Sequence, residues 1–420
     1  MNITLAEATR LWARIGVLSF GGPAGQIALL HRELVDERQW LTEKEFLSAL
    51  NFCMLLPGPE AMQLATYAGW RMHGTRGGLI AGTLFVLPGA LVILVLSMIY
   101  ALFGQVPLVA ALLWGVKAAV LAIVLEALAK VASRALTSRG DWSVAVLAFL
   151  ALFVFALPFP LVIAVAALAG ALWSGGEGSP VHVVRPSRNA TLRTIAIWAA
   201  IWLVPLALIH VLRGPTDLFA QLARIFSTLS VVTFGGAYAV LTSLGQEMVE
   251  QAKWLTTQEM MDGLALAETT PGPLILVGQF VAFTAAEKQM ASLWAGLAAS
   301  VVFLWMTFVP CFLWIFAGAP WIEYLQSNRR FAAALGKITA AVVGVILNLS
   351  LWFGLHVVFA RVERLPGLVP LWWPDVSTFD PAALLLSLAM AFALLRLKIG
   401  IPKTLVLAAL AGLLWQLVIN

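Results

Sequence analysis

Charged residues are scarce in this chain. Only 11% of its 420 residues are Asp, Glu, Lys or Arg, whereas 61% are hydrophobic and the mean hydropathy is +0.93. Soluble domains carry about 25% charged residues, so these few charges cannot build a water-facing surface. The composition excludes soluble enzyme folds and predicts an all-α polytopic membrane protein in a lipid bilayer.

Cysteine, histidine and catalytic motifs are also sparse. Cys53 and Cys311 lie in apolar segments, so no disulfide framework is indicated, and the five histidines are scattered without metal-ligand spacing. No HExxH, Walker A, GxSxG or dinucleotide pattern occurs. We therefore expect no metal, no cofactor and no enzymatic activity. The net charge is +5, and its Lys and Arg residues lie in short loops between apolar runs. Their placement indicates membrane topology, so we expect no nucleic-acid partner. The N-terminus has no cleavage-site pattern of a signal peptide.

The chain contains an internal duplication. A shift of 214 residues, without gaps, aligns the pattern F-G-G-x10-E-x6-W-L-T-x2-E-x11-P-G-P in two copies. Phe20-Gly21-Gly22 falls on Phe234-Gly235-Gly236, and Pro57-Gly58-Pro59 falls on Pro271-Gly272-Pro273. We predict an N-terminal repeat over 1–174, a linker with an unpaired span over 175–211, and a C-terminal repeat over 212–420. The unpaired span would turn the second repeat upside down.

Charge in the loops favours this inverted topology. Apolar runs at 77–102, 107–128, 191–211, 291–318 and 330–353 are long enough to span a bilayer, and shorter runs lie at 142–157, 160–174, 382–395 and 401–419. With alternate loops placed inside, fourteen Lys and Arg residues are cytoplasmic and four are outside. The positive-inside bias predicts nine full spans in the inner membrane, with the C-terminus outside. Broken hairpins bring the total to about 9–13 membrane segments.

The Gly/Pro motifs predict two broken or re-entrant helical hairpins in each repeat. Broken backbone at membrane depth survives only where it is buried in protein or lines a cavity. Inverted repeats with broken helices are typical of secondary transporters. Each helix that restarts after a break directs backbone N–H groups and a positive dipole end at that break, which suits a small anion.

Candidate substrate-binding residues are the breaks and the polar side chains beside them. In the first repeat they are Ser19, Gly21, Gly22, Asn51, Pro57, Gly58, Pro59 and Gln63. In the second they are Thr233, Gly235, Gly236, Thr269, Thr270, Pro271, Gly272 and Pro273, with Gln279 nearby. Alternatives stay open for both groups. The breaks form a binding site or are only tightly packed kinks. The Ser and Thr hydroxyls bind substrate or donate to their own backbone.

Ionisable residues in apolar segments form a further set of candidates. Lys117 lies inside the run 107–128, where a cation is a functional hypothesis by default. The alternative is a lysine that snorkels to the interface or pairs with Glu126 on another turn. Glu268 abuts the second PGP motif, and beside an anion path it is expected to be protonated or paired. We expect Glu33 and Glu247 to be structural, in pairs such as those with Arg10 and Arg224.

The segments that carry the FGG, WLT and PGP motifs in order, residues 19–89 and 233–273, resemble the bacterial chromate ion transporter (CHR) family in its long-chain, two-domain form. The resemblance covers nearly the whole chain. It implies a membrane exporter of chromate that confers chromate resistance, with sulfate as an analogue or competitor. The second FGG is followed by Ala237-Tyr238 where the first has Pro23-Ala24, so a symmetrical site is not expected.

Competing hypotheses remain at this stage. A sulfate or other oxyanion transporter is the alternative within the same class. An intramembrane enzyme or scaffold is the alternative of another class, and it lacks a nucleophile–base pair or paired metal ligands. The coupling ion and the oligomeric state, a homodimer included, are left open.

Overall fold

The computed structural model of the chain describes residues 3–20, 22–104, 106–173, 187–232, 241, 243–322, 329–364 and 372–419. These residues are almost entirely helical, and they establish an all-α polytopic membrane protein as predicted. The described sheet structure is a hairpin of β1 (Val362–Arg364) and β2 (Trp372–Pro374), paired antiparallel with Glu363 opposite Trp373.

The N-terminal half contains seven helices that precede the linker. They are α1 (Leu5–Leu18), α2 (Gly22–His31), α3 (Glu43–Met54), α4 (Glu60–Phe103), α5 (Pro107–Ala135), α6 (Arg139–Phe153) and α7 (Phe159–Trp173). A π-helical segment, Arg32–Glu37, continues α2. The backbone leaves helical geometry at His73 and Gly74, so α4 is two helical pieces joined at a kink.

The other helices among the described residues follow the linker. They are α8 (Arg188–Arg213), α9 (Leu218–Val232), α10 (Thr257–Glu268), α11 (Val277–Met290), α12 (Leu293–Gly318), α13 (Arg329–Val358), α14 (Pro381–Leu395) and α15 (Ile401–Ile419). A π-helical segment, Gly245–Gln251, precedes α10, and 3₁₀ turns lie at Leu274–Leu276, Ala319–Trp321 and Val376–Thr378.

Five described helices are long and apolar enough to cross a membrane. They are Glu60–Phe103, Pro107–Ala135, Arg188–Arg213, Leu293–Trp321 and Ala332–Val358. Each coincides with one of the five long apolar runs of the sequence. The shorter runs also form helices, but α6, α7 and α14 have only 15 residues each. At 1.5 Å per residue they are about 22 Å long, less than the hydrocarbon thickness of about 30 Å.

Helix α8 covers the segment that the sequence predicts to be an unpaired span. Only 6% of its most apolar stretch is buried within the protein. Leucine side chains such as Leu192 (63% exposed) and Leu208 (52% exposed) stand on its surface. An apolar helix with so little protein cover is suited to a lipid environment.

The chain divides into two compact units that do not follow the order of the sequence. The first unit combines Met1–Val95, Gly170–Val240 and Thr270–Leu335. The second combines Leu96–Ala169, Leu241–Thr269 and Gly336–Asn420. Each unit therefore draws on both repeats. The first is built around the packing of α12 on α9, α8 and α11, and the second around the packing of α5 on α15, α14 and α10.

The duplicated motif produces the same local structure in both halves. Gln39 and Lys253, related by the 214-residue shift, both adopt left-handed backbone, with φ of +52° and +54°. Each follows a π-helical segment that contains the shared glutamate, Glu33 or Glu247. π-Helical turns are rare and often occur at functional sites. Two of them at equivalent positions of the two copies therefore support the duplication.

The WLT step of each copy begins the next helix. Thr42 and Glu45 form a capping box at the start of α3, in which each side chain bonds the other residue's backbone N–H. Thr256 and Glu259 form the same capping box at the start of α10. The T-x-x-E spacing satisfies two orphan N–H groups of a helix start, which explains why both copies retain it.

Candidate functional site

The first helix break lies between α1 and α2. Helix α1 ends at Leu18, and α2 restarts at Gly22, where φ is +66°. Ser19 at this break is fully buried, and its hydroxyl donates to the carbonyl of Gly16 at 2.8 Å. The backbone bond foreseen as the alternative for Ser19 is therefore present.

The first FGG break and the second PGP break are in direct contact within the first unit. The backbone N–H of Gly272 donates to both the carbonyl and the Oγ of Ser19, each at 3.0 Å. Gln26 on α2 donates its side-chain amide to the carbonyl of Gly272 at 2.6 Å and to that of Ser19 at 3.2 Å. We call Ser19, Gly22, Gln26 and Pro271–Pro273 the break cluster.

The second PGP loop also packs against α4. A Cβ on Gly89 would lie 2.1 Å from the carbonyl oxygen of Pro271, too close for any side chain at this position. One residue later, the carbonyl of Ala90 accepts a hydrogen bond from Gln279 Nε2 at 3.0 Å. The loop backbone thus reaches α4 because Gly89 has no side chain.

The first PGP loop packs against the other long helix of the same unit. Gly58 has φ of +117°, and a Cβ on it would lie 2.9 Å from Cys311 Sγ on α12. Gln63 closes the loop by donating Nε2 to the carbonyl of Pro57 at 2.7 Å. Each PGP loop therefore contacts a long helix that belongs to the other half of the sequence.

Two buried glutamines leave polar atoms unsatisfied beside these loops. Gln63 is fully buried and Gln279 is 1% exposed. Both use the amide nitrogen as described above, and the Oε1 of each has no hydrogen-bond partner in the described part of the chain. A buried unpaired acceptor is costly and calls for an explanation. A ligand that carries a proton, or a water molecule, would satisfy these oxygens.

The break cluster holds three neutral donors: the Ser19 hydroxyl, the Gln26 amide and the Gly272 N–H. Neutral donors of this kind bind an oxyanion without supplying a full positive charge. All three donate to protein oxygens in this conformation. An anion can use them only if these internal bonds open, so binding at the cluster requires a conformational change.

The other predicted site residues differ in their environments. Pro57, Gly58, Pro59, Thr270, Pro271, Gly272 and Pro273 are all buried. Asn51 on α3 and Thr269 are exposed. The Thr269 hydroxyl donates to the backbone carbonyl of Leu266, three residues earlier. Gly21, Thr233, Gly235 and Gly236 lie outside the described residues, and so does the second FGG break as a whole.

Lys117 is paired, but its partner is not the one expected from the sequence. In the second unit its ammonium lies 3.0 Å from Asp262 on α10, and the two side chains are 7% and 5% exposed. Tyr100 donates its hydroxyl to the other carboxylate oxygen of Asp262 at 2.8 Å. The expected alternative, Glu126, pairs with Lys130 one turn along the same helix. We call Tyr100, Lys117 and Asp262 the ion cluster.

Glu33 is also paired differently from the prediction. Its side chain is fully buried, and its two oxygens lie 3.6 Å from Arg14 and 3.5 Å from Arg38. Arg10, the expected partner, lies one helical turn before Arg14. Two cations around one buried carboxylate hold α1 to the π-helical segment, which agrees with a structural role for Glu33.

Sequence reasoning missed Gln26 and Asp262. Gln26 lies in the motif-bearing segment, but the repeat puts Val240 at the equivalent position, so the duplication did not mark it. Asp262 could have been found by asking which acidic residue in a largely apolar helix can neutralise Lys117. Among the described residues, no group of three His, Cys, Asp or Glu side chains could hold a metal ion.

Comparison with known proteins gives a consistent assignment. The family model described as chromate transporter matches residues 6–171 and 220–413, one stretch in each half. A probable chromate transport protein of Synechococcus elongatus is 28% identical over 417 residues, 98% of this chain and 96% of the relative. The chromate transport protein of Pseudomonas aeruginosa is 32% identical over 337 residues, 79% of this chain and 77% of the relative.

A third relative extends the range of organisms. The chromate transport protein of Cupriavidus metallidurans is 28% identical over 415 residues, 98% of this chain and 93% of the relative. No solved structure matches the chain.

Proposed function

Because the chain belongs to the chromate transporter family, we propose that it is a secondary transporter that exports chromate from the cytoplasm across the inner membrane. Export of a toxic oxyanion would confer chromate resistance on the cell. The proposal takes the substrate class from the family and from the names of three relatives. It takes the binding residues from the break cluster and the two PGP loops.

The contact between Ser19 and Gly272 is the observation that carries the proposal. It joins the first break of one repeat to the second break of the other, 253 positions apart, in one buried cluster. Backbone without regular helical bonding is tolerated at membrane depth only in such a place. Ser19, Gly22, Gln26 and Gly272 would bind the oxyanion there, while Gly58 and Gln63 shape the first PGP loop.

Alternating access supplies the route. We propose that the two copies are inverted, so that one arrangement of the broken helices faces the cytoplasm and the other faces outside. Opening the Ser19–Gly272 and Gln26–Gly272 bonds would release their donors to the anion. Closing them after release would regenerate the conformation described above.

Membrane potential supplies the driving force. Moving one charge across 100 mV is worth about 2.3 kcal/mol, so a dianion gains about 4.6 kcal/mol on leaving an inside-negative cell. An electrogenic exporter of chromate therefore needs no ATP. Exchange or proton coupling would modify this driving force without replacing it.

Chromate accumulation in everted membrane vesicles tests the proposal. Vesicles that contain the protein should take up labelled chromate under an imposed inside-positive potential, and vesicles without it should not. Excess unlabelled sulfate identifies the substrate range: weak competition supports a chromate exporter, and complete competition with equal sulfate flux supports a general oxyanion carrier. Chromate uptake equal to that of empty vesicles would reject the proposal.

A further inference from the structure

The ion cluster lies in the interior of the second unit, on helices that are otherwise apolar. Lys117 is near the middle of α5, in a stretch whose buried neighbours include Val116, Ala118 and Ala119. Two residues earlier, Gly115 packs so closely on α15 that a Cβ would lie 2.0 Å from the carbonyl oxygen of Ala408. Lys117 itself is only 6% exposed, so bulk water has little access to it.

The ion pair is an expensive way to hold these helices together. Removing two charges from water costs several kcal/mol for each ion, and a well-packed apolar pair is often at least as stable. An ionisable pair within membrane spans is rare and marks an ion or substrate pathway by default. The cost points to a role for the charges beyond packing.

Two further carboxylates lie on α10, and the charge of one of them, Glu259, also acts on Tyr100. On α10, Glu259 acts in the capping box with Thr256, and Glu268 is the last residue of the helix. From Asp262 to Glu268 the helix rises about 9 Å.

The helices packed against α5 contribute few further charges. Asp380, at the start of α14, accepts a hydrogen bond from Trp114 at 3.1 Å. Lys403 on α15 is exposed, and on α5 itself Glu126 pairs with Lys130. Asp262 is the carboxylate in ion-pair contact with Lys117, at 3.0 Å.

We propose that Asp262 and the transported oxyanion alternate as the partner of Lys117, with a proton taken up by Asp262 whenever the anion is bound. The inference rests on the proposed function, because it needs an oxyanion to cross the membrane. It adds a second anion-binding group, an exchanging carboxylate and a coupling proton, none of which the family match assigns.

The exchange conserves charge and protons. In the empty state Lys117 is an ammonium ion and Asp262 a carboxylate, and Tyr100 donates to that carboxylate. The carboxylate takes one proton from water and becomes neutral, which releases Lys117. The oxyanion then pairs with the ammonium group. When the anion leaves, Asp262 returns the proton to water and pairs with Lys117 again.

Coupling follows from this exchange. One proton accompanies each anion in the same direction, so a dianion carries one net negative charge outward and not two. The membrane potential still favours export. Anion binding becomes weaker as the pH rises, because each binding event consumes one proton. Above the midpoint the dissociation constant should increase about tenfold per pH unit, the slope for linkage to one proton.

Binding of labelled chromate to the purified full-length protein, measured from pH 6 to 9, tests the exchange. In Asp262→Asn the side chain keeps its shape but cannot ionise, so affinity should be high and lose the linked slope. Chromate itself takes up a proton, and the wild type and D262N share that contribution, so their difference isolates Asp262. In Tyr100→Phe the carboxylate loses its donor, so it should give up Lys117 more readily and chromate should bind more tightly than to the wild type at a given pH.

Lys117→Met should weaken binding by at least about tenfold, as expected for the loss of a bond to a charged group. If the single variants fold poorly, the double variant K117M/D262N carries no unpaired charge and keeps the test available. It should be folded, should bind chromate at least about tenfold more weakly than the wild type, and should not transport it. Lys337 and Asp141 form a matched ion pair in the same unit at 2.7 Å, and K337M/D141N should retain the wild-type slope.

Two results would overturn the inference while the proposed function stands. One is a D262N slope equal to that of the wild type. The other is a K117M/D262N double variant that transports chromate at the wild-type rate, which would make the pair purely structural. Wild-type protein that neither binds nor transports chromate would instead remove the proposed function, and the exchange with it.

Discussion

Gln26 donates its side-chain amide to the carbonyl oxygen of Gly272 at 2.6 Å, although the two residues are 246 positions apart. The same amide nitrogen reaches the carbonyl of Ser19 at 3.2 Å. Gln26 is 2% exposed, so water cannot replace either bond. One side chain therefore ties two helix breaks from different repeats together.

Replacing Gln26 by Met should destabilise the protein by about 1–3 kcal/mol, because it removes the amide donor from the buried carbonyl of Gly272 and one of the two donors from the carbonyl of Ser19. Gln221 offers the matched control, since it makes the same kind of bond to the carbonyl of Thr216 but at an exposed position. Q221M should lower the free energy of unfolding by only about a few tenths of a kcal/mol, because water replaces the lost hydrogen bond at this exposed position. Denaturation midpoints in detergent compare the two, and equal shifts would count against the tie.

Replacing Gly89 by Ala should disrupt the second PGP loop. The new Cβ would lie 2.1 Å from the carbonyl oxygen of Pro271, so the loop or α4 must move. Chromate uptake by vesicles should fall to the background level while the protein remains in the membrane. Gly336, also helical, has open space where its Cβ would be; G336A should transport normally. Normal uptake by G89A would show that the loop does not need this contact.

The two capping boxes should respond alike to substitution. Thr42→Ala and Thr256→Ala each remove a helix cap worth about 1 kcal/mol, which corresponds to about fivefold faster exchange of the first-turn amides. Hydrogen–deuterium exchange should localise the first change to the start of α3 and the second to the start of α10. Thr42→Ser keeps the cap oxygen and should exchange as the wild type does. Unchanged exchange in T42A would mean that the box contributes nothing there.

His31 gives the protein a pH-dependent contribution to stability outside the candidate spans. A hydrogen bond to Glu43 at 2.7 Å raises its pKa, opposed by burial and helped by the charges of Glu43 and Asp36. Because the pKa is raised on folding, the stabilisation is complete below about 6.5 and is lost as the pH rises through the folded value. The unfolding midpoint should therefore fall from pH 6 to 8, and His31→Gln should flatten this trend. An unchanged trend in H31Q would assign it to another group.

Local structure was largely predictable from the sequence. The nine predicted spans coincide with helices, since apolar runs bounded by Pro, Gly and charge leave little alternative in lipid. The duplicated glycines at 58 and 272 both adopt positive φ, as a Gly between two prolines at a helix break suggests. Equivalent residues of the two copies fold alike because short-range backbone preferences travel with the motif.

Side-chain partners were not predictable in the same way. The sequence offered Glu126, on the same helix, as a partner for Lys117. The actual partner, Asp262, lies on α10, 145 positions later. Glu33 lies in a π-helical segment and pairs with Arg14 and Arg38 instead of Arg10. Such pairs depend on which helices pack against each other. The hydropathy of a sequence carries almost no information about that packing.

The central claim is that the broken helices move chromate, and Gly272 tests it most directly. Its φ of +89° strains any other residue, and a Cβ there would meet Leu276 at 3.1 Å and Gly89 at 3.4 Å. Gly214 has a similar φ of +85° but nothing near its Cβ position, so G214A reproduces the backbone strain without the packing. The measurement is labelled-chromate uptake by everted vesicles under an imposed potential, at matched protein levels. We expect wild-type uptake for G214A and background uptake for G272A; wild-type uptake by G272A would show that chromate does not pass through the broken helices.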